Sequence, residues 1–177
     1  MRRAPLAPAL AMILMIVSLG CAAAEGWRTA LPQAQLSGEG EYRWFGLRLY
    51  TAQLWSPHLP PNIDAPFALQ VTYARAFTAQ RLVDTSIEEI RRIHRPNVTA
   101  ATLERWREAL QKVFVDVRAG DSLTGVYLPG EGVRFFANDR ATGQIDDAAL
   151  ARAFFAIWLD PATRAPALRL KLLGQTE

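Results

Sequence analysis

Alternating apolar and polar positions are the first feature of the sequence, and they predict strands. Between residues 36 and 55 the two classes of side chain alternate with a period of two, as in one or two half-buried strands. Prolines follow and end this stretch, because proline cannot continue a hydrogen-bonded ladder. Residues 67–75 alternate more regularly, so Phe67, Tyr73 and Arg75 are expected to share one face.

Apolar positions then recur at helical spacing over two consecutive stretches. Thr78 is placed to cap a helix that runs to about His94, and Pro96 ends it. Thr99 begins a second helix, whose apolar stripe includes Trp106 as a predicted core residue. Only a short turn separates the two helices, so we expect them to form a hairpin.

A second group of strand patterns follows the helices. Residues 122–128 and 133–137 are predicted to be the two arms of a hairpin around a tight turn at 129–132. Residues 138–143, rich in polar residues and glycine, are predicted to form another turn.

Two helices are predicted at the end of the chain. Asp146 or Asp147 is placed to cap a helix that ends near Leu159, and its apolar character on nearly every side is typical of a buried helix. A short helix over residues 166–173 ends at Gly174. Segregated strands and helices favour an α+β fold: an antiparallel sheet with helices packed on one face.

The first 24 residues have the pattern of a cleavable signal peptide. Two arginines precede an apolar run over residues 6–19, and small residues follow it at Ala22 and Ala24. The run is shorter than the roughly 20 residues that a membrane-spanning helix needs. We therefore expect cleavage before Glu25, export to the periplasm, and one domain over residues 25–177, with a retained N-terminal anchor as the alternative.

Cys21 leaves a second alternative open for the location. The residues before it loosely resemble a lipoprotein signal, in which the cysteine is acylated, although Ser18 stands where a leucine is usual. The protein would then be tethered to a membrane through Cys21. Without that modification, nothing in the sequence predicts a membrane tether.

Charge and residue counts exclude several classes of function. The chain has 20 basic and 17 acidic residues, and removal of the signal takes away Arg2 and Arg3, leaving a net charge of +1. That balance gives no electrostatic case for nucleic-acid binding. Cys21 is the only cysteine, and His58 and His94 are the only histidines, so the sequence predicts no disulfide, catalytic thiol, metal site or other cofactor in the domain.

Five segments form an ordered set along nearly the whole domain: residues 46–54, 69–75, 120–121, 143–146 and 153–160. In this order they resemble the chalcone isomerase-like proteins, in particular exported bacterial members. The resemblance implies an open-faced β-sandwich with helices covering one face.

Two functional groups that the resemblance implies are missing from the matching positions. Plant members use an arginine and hydroxyl groups to cyclise a chalcone, and fatty-acid-binding members use an arginine and a tyrosine to hold a carboxylate. The stretch matching the arginine, residues 37–41, has two acids instead, and residues 78–82 lack the helix tyrosine. Arg43 could take over the role of the arginine, and Tyr50 matches the strand tyrosine of the fatty-acid binders.

Five residues are candidates for contacting a ligand: Tyr50, Tyr73, Arg75, Arg48 and Arg43. Alternation places Arg75 on the strand face of Tyr73, pointing toward the apolar layer, where it could hold a ligand carboxylate. The alternatives for Arg75 are a structural ion pair or a head group that reaches solvent. Acids considered as structural partners are Asp84, Asp116 and Asp121.

Three functional hypotheses follow from the sequence. The first is a non-catalytic protein that binds a small amphipathic or fatty-acid-like ligand between sheet and helices. The second is an intramolecular lyase or isomerase of the chalcone isomerase type. The third is an envelope scaffold that binds a protein partner and no small ligand. Asp121 is expected to cap a turn rather than act as a base, and the oligomeric state is left open.

Overall fold

The computed structural model describes residues 26–175, so the predictions for the signal peptide and for Cys21 lie outside the described residues. Within this range six strands form one antiparallel sheet, in which each strand pairs with the next along the chain. This architecture confirms the predicted antiparallel α+β fold. The strands are β1 (Gln35–Trp44), β2 (Leu47–Ser56), β3 (Phe67–Tyr73), β4 (Ser122–Leu128), β5 (Gly132–Ala137) and β6 (Arg140–Ile145).

Two turns between strands bear on the sequence predictions: one lies within the stretch 36–55, and the other lies at residues 138–143. The stretch 36–55 forms two strands, β1 and β2, joined at Phe45 and Gly46. The prediction of a turn over residues 138–143 is wrong, because the turn needs only Asn138 and Asp139, both with positive φ, and β6 follows at once. Strand β6 lies at the sheet edge and is largely exposed, so it has no apolar alternation that would reveal it.

Five helices accompany the sheet in the described part of the chain. Thr78 and Thr99 cap α2 and α3, as predicted, because each hydroxyl accepts an N–H from the first turn at 3.2 Å. Of the two aspartates considered for α4, Asp147 is the cap, accepting the N–H of Leu150 at 2.8 Å. The helices are α1 (Trp27–Ala30), α2 (Ala79–His94), α3 (Ala100–Gln111), α4 (Ala148–Leu159) and α5 (Pro166–Leu172).

The main core lies between one face of the sheet and helices α2 to α5. Helix α4 is its centre, as its apolar sequence predicts, and Leu150, Ala151 and Phe155 on it are at most 3% exposed. Trp106 of α3 is buried as predicted, and its indole N–H donates to the carboxylate of Asp147 at 2.9 Å. No helix in residues 26–175 has both the length and the apolar character needed to cross a membrane.

A smaller apolar cluster lies on part of the other face of the sheet. Trp27 of α1 is 1% exposed and packs on Trp55 with ring centroids 5.6 Å apart. The guanidinium of Arg28 lies 4.2 Å from the centroid of the Trp55 ring, a cation–π contact. The four longer helices therefore cover one face of the sheet, whereas the short helix α1 covers only the part of the other face around Trp55.

Strand β1 approaches helix α5 closely through two glycines. A β-carbon on Gly38 would overlap the backbone oxygen of Lys171, and one on Gly40 would lie 2.8 Å from the side chain of Leu168. The hydroxyl of Ser37 donates to the carbonyl of Leu172 at 3.1 Å. These contacts dock the C-terminal helix on the edge of the sheet.

Candidate functional site

A cavity of about 360 Å³ lies between the sheet and helices α2 and α4. Its floor is formed by side chains of β1 to β5, and α2 and α4 with the loop after α4 form its walls. The size falls within the range of about 300–1,000 Å³ that is typical of small-molecule sites. We therefore take this cavity as the candidate functional site.

Three tyrosines form a row across the floor of the cavity. Tyr42, Tyr50 and Tyr73 lie directly opposite one another on β1, β2 and β3. The rings of Tyr42 and Tyr50 are stacked with centroids 5.1 Å apart, and those of Tyr50 and Tyr73 meet edge to face at 6.3 Å. The antiparallel register creates this row from residues that are distant in sequence.

Two members of the tyrosine row, Tyr50 and Tyr73, have strongly raised pKa values. The hydroxyl of Tyr50 accepts the indole N–H of Trp158 from α4 at 3.1 Å. Burial raises the pKa of Tyr50 far above its ordinary value, and this outweighs the lowering effect of the hydrogen bond from Trp158. Burial alone also raises the pKa of Tyr73. Both side chains therefore offer neutral hydroxyl groups to the cavity at physiological pH.

Aromatic rings also form the deep wall of the cavity. Phe154 of α4 contacts Phe135 with centroids 5.3 Å apart and Trp158 at 5.4 Å, and Phe114 lies 6.0 Å away. Gly125 completes this wall, and a β-carbon there would lie 3.0 Å from the ring of Phe155. The absence of a side chain at Gly125 therefore lets the ring of Phe155 pack closely against β4.

Charged side chains lie only at the rim, on α2 and on the loop after α4. Arg164 forms an ion pair with Glu89 at 2.7 Å, and Glu89, which is 13% exposed, also accepts the Nε–H of Arg92 at 3.0 Å. Glu88 lies 3.8 Å from Arg164. Arg81 lines the same rim and, among residues 26–175, forms no ion pair within 4.0 Å. Arg81 is therefore available to a ligand carboxylate or phosphate.

The structure brings only two of the five predicted ligand residues to the cavity, Tyr50 and Tyr73. Arg48 and Arg43 are more than half exposed, and both donate to Glu41, at 3.0 and 2.7 Å. Their shared interaction with Glu41 lowers the pKa of its carboxyl group. Arg43 therefore does not occupy the position of the missing arginine.

The prediction that Arg75 points into the apolar layer is wrong. Strand β3 ends at Tyr73, so the alternation of strand faces does not extend to Arg75, and its side chain is exposed. It forms no ion pair within residues 26–175. The acids considered as its partners bond elsewhere: Asp84 to Arg107, Asp116 to the N–H of Ala79, and Asp121 to the N–H of Arg118.

The stretch that lacks the expected arginine has a structural explanation. Residues 37–41 lie within β1, where Gly38 and Gly40 face helix α5 and leave no room for a side chain. Glu39 and Glu41 point to the other side and bind Gln53 and arginines at the surface. The core-facing side of β1 at residues 38 and 40 is therefore taken up by helix α5.

The rim residues were not predicted from the sequence, although their spacing follows a helical pattern. Arg81, Thr85, Glu88 and Glu89 follow the spacing i, i+4, i+7 and i+8, which places them along one side of α2. This polar side lies next to the apolar stripe that identified the helix. Trp158 lies in the helix that was predicted to be buried, and only the packing shows that its indole reaches Tyr50.

A second cavity, of about 240 Å³, lies near the C-terminal end of α2. His94, Asp64 and Asp160 line it together with Arg152, which donates to the hydroxyl of Tyr127 at 3.3 Å. No group of three histidine, cysteine or acidic side chains in residues 26–175 is arranged to hold a metal ion.

Asp121 caps a turn as predicted, accepting the backbone N–H of Arg118 at 2.7 Å and the side-chain N–H of Asn138 at 2.8 Å.

The raised pKa values of Tyr50 and Tyr73 predict a loss of stability in alkali. Their raised pKa values mean that the unfolded chain, with tyrosine pKa values of about 10, releases protons that the folded chain retains. The contribution of these two tyrosines to the free energy of unfolding is therefore fully present below about pH 10, and it is lost as the pH rises above that value. Urea unfolding between pH 8 and 11 measures the fall, and Tyr73→Phe should reduce its slope. Ionisation of all four tyrosines near pH 10, followed at 295 nm in a folded protein, would contradict the prediction.

The fold and the cavity define a class: an open antiparallel sheet with helices that enclose an apolar cavity on one face. The chain belongs to the chalcone isomerase-like family, whose sequence pattern matches residues 27–174. This match confirms the family inferred from the ordered segments.

Among solved structures, the fold is similar to that of a fatty-acid binding protein of Arabidopsis thaliana. The TM-score is 0.60 at 8% sequence identity, over 80% of this chain and 87% of that one. At this identity the likeness concerns the fold alone. No curated protein matches the chain.

Proposed function

We propose that the protein binds a small amphipathic molecule, with an acyl chain and an acidic head group, without converting it. The observation that carries the proposal is the cavity of about 360 Å³, apolar and aromatic inside and charged only at its rim. Each methylene group buried there contributes about 0.8 kcal/mol to binding. The similarity in fold to a fatty-acid binding protein supports the same class of ligand.

In this proposal the acidic head group of the ligand lies at Arg81. The other rim arginine, Arg164, is already paired with Glu89 at 2.7 Å, whereas Arg81 has no such partner among residues 26–175. The acyl chain then extends between the tyrosine row and Phe154. The hydroxyl of Tyr50 is engaged with Trp158, which supports a role in shaping the cavity rather than in proton transfer.

Binding is tested with the protein purified gently and with its delipidated form. Native mass spectrometry is expected to detect an acyl ligand that copurifies, and dodecanoate is expected to raise the melting temperature of the delipidated form. At a concentration of 100 times the Kd, a ligand stabilises by about 2.7 kcal/mol, or about 5–10 °C for a domain of this size. A mass of the protein alone, together with an unchanged melting temperature in dodecanoate, would refute the proposal.

Substitution of Arg81 tests the position of the head group. Arg81→Ala is expected to weaken dodecanoate binding about tenfold, because it removes a charge-assisted hydrogen bond at an exposed position. Arg91→Ala is the matched control, since Arg91 is exposed on the same helix but does not line the cavity. Methyl dodecanoate should bind both variants equally. An equal loss of affinity for acid and ester in Arg81→Ala would place the head group elsewhere.

We further propose that the protein acts in the periplasm, on the basis of the signal-peptide pattern in residues 1–24. A soluble exported domain is favoured over a lipoprotein, because the Ala22 and Ala24 site is better formed than the lipoprotein signal around Cys21. The intact mass of the purified protein distinguishes them. A chain that begins at Glu25 supports the soluble form, and an acylated chain that begins at Cys21 refutes it.

A further inference from the structure

The turn between β1 and β2 exposes an apolar cluster at one end of the cavity. We name residues 43–48 the hairpin tip; its apolar members are Trp44, Phe45 and Leu47. They are 50%, 89% and 56% exposed, whereas most large apolar side chains of the described chain are buried. The ring of Trp44 meets that of Phe45 edge to face at 5.1 Å.

The backbone conformation at Phe45 makes its exposure costly for the fold. Phe45 and Gly46 have φ values of 47° and 79°, as in a two-residue turn in which asparagine followed by glycine is the preferred pair. A bulky side chain rarely adopts positive φ, and asparagine or glycine would satisfy the turn better. Phe45 packs only against its neighbour Trp44 among aromatic rings, so its burial does not compensate for the strain. Such a residue points to a role outside the fold.

Both the chemistry of the hairpin tip and its position match a lipid surface. Aromatic and aliphatic side chains at a protruding turn suit the interfacial region of a bilayer. Beside them, the two positive charges of Arg43 and Arg48 outnumber the one negative charge of Glu41, with which both arginines pair. Trp44 belongs both to this tip and to the wall of the cavity. A ligand leaving a bilayer at the tip would therefore meet the cavity directly.

We propose that the hairpin tip docks the protein on an anionic lipid surface, with Phe45 and Leu47 inserted and the arginines at the head groups. This inference rests on the proposed function, since it supplies the route by which an acyl ligand enters the cavity. The docking is peripheral and reversible, because only a few side chains enter the bilayer. Its strength should fall with added salt, as the attraction of arginine for anionic lipid is screened.

The test is cosedimentation with vesicles of phosphatidylcholine and phosphatidylglycerol. The protein is expressed from the full sequence in a Cys21→Ser background, so that no lipid attached at that position contributes. Phe45→Asn is expected to weaken vesicle binding about tenfold, because one large apolar side chain no longer enters the bilayer. Its melting temperature should be unchanged or higher, since asparagine suits the positive φ at this position. Loss of binding therefore cannot be attributed to unfolding.

Two controls define the outcome. Leu59→Ser removes a side chain that is 53% exposed beyond the opposite end of β2, and it should leave vesicle binding unchanged. Affinity for dissolved dodecanoate should be the same in Phe45→Asn as in the parent, because Phe45 does not line the cavity. A parent protein that binds dodecanoate but stays in solution with vesicles would overturn the docking proposal and leave the proposed function standing.

Other occupants of the hairpin tip give different results in the same experiments. Equal vesicle binding by Phe45→Asn and its parent would overturn the proposal. A parent dimer in sedimentation velocity that Phe45→Asn dissociates, without vesicle binding by either, would identify a second copy as the occupant and also overturn it. Dodecanoate binding that is absent in both proteins would refute the proposed function separately.

Discussion

Replacement of Gly38 by alanine is expected to lower the free energy of unfolding by about 3 kcal/mol, at the upper end of the usual cost of overpacking. The added β-carbon would overlap the carbonyl oxygen of Lys171, and backbone atoms cannot turn aside as a side chain can. Helix α5 would have to move, and Leu168 and Leu172, now at most 5% exposed, would lose their core contacts. Urea unfolding of the variant and its parent measures the difference.

Gly40→Ala is the matched control for Gly38→Ala. A β-carbon at Gly40 would meet the ends of two side chains, Leu168 at 2.8 Å and Lys171 at 3.1 Å, which can shift. The control should therefore cost clearly less stability than Gly38→Ala. If the two variants lose equal stability, the close approach of β1 and α5 is not as rigid as the structure indicates.

Truncation of Phe154 to alanine is expected to cost about 3–5 kcal/mol of stability, as is usual for buried phenylalanines. Phe154 is 6% exposed and its ring contacts Phe135, Phe155 and Trp158 with centroids 5.3 to 5.4 Å apart. The change also joins new space to the cavity. Denaturation in urea measures the cost, and Phe154→Leu should lose less because it retains more of the contact area.

The same variant links the core to the proposed ligand. If an acyl chain occupies the cavity beside Phe154, dodecanoate should stabilise Phe154→Ala, because the ligand fills part of the space that the ring has left. The increase in melting temperature that dodecanoate causes should therefore be larger in Phe154→Ala than in the parent protein. An identical increase in both would place the ligand away from Phe154.

The sequence predicted most elements of the fold because their signals are local. Thr78, Thr99 and Asp147 each begin a helix through a hydrogen bond to a residue three positions later, so the capping residue and its partner lie in one short segment. The β4–β5 hairpin likewise follows from alternation around a glycine turn. Strand β6 escaped detection because an exposed edge strand is not required to alternate.

Only part of the candidate site could be predicted. Tyr73 was found because it lies within a well-defined strand, where the alternation of faces holds, whereas Tyr50 was found from the family resemblance. For Arg75 the same rule was applied two residues beyond the end of β3, where it no longer holds. Arg81 was missed because residues 78–82 were considered only for the tyrosine that they lack. Whether Arg81 is free to bind a ligand also depends on which charges at the rim form ion pairs, and only the structure shows this.

The sequence by itself determined the types and order of most elements, the helix caps and the family of this protein. These features depend on neighbours along the chain and on side-chain periodicity. Tertiary structure alone decided which strand face meets the helices, and therefore that three tyrosines form one row. It also decided that Gly38 and Gly40 leave room for α5, and that Phe45 is exposed beside the cavity. The physical reason is that burial, ion pairing and open space depend on residues that only the folded chain brings together.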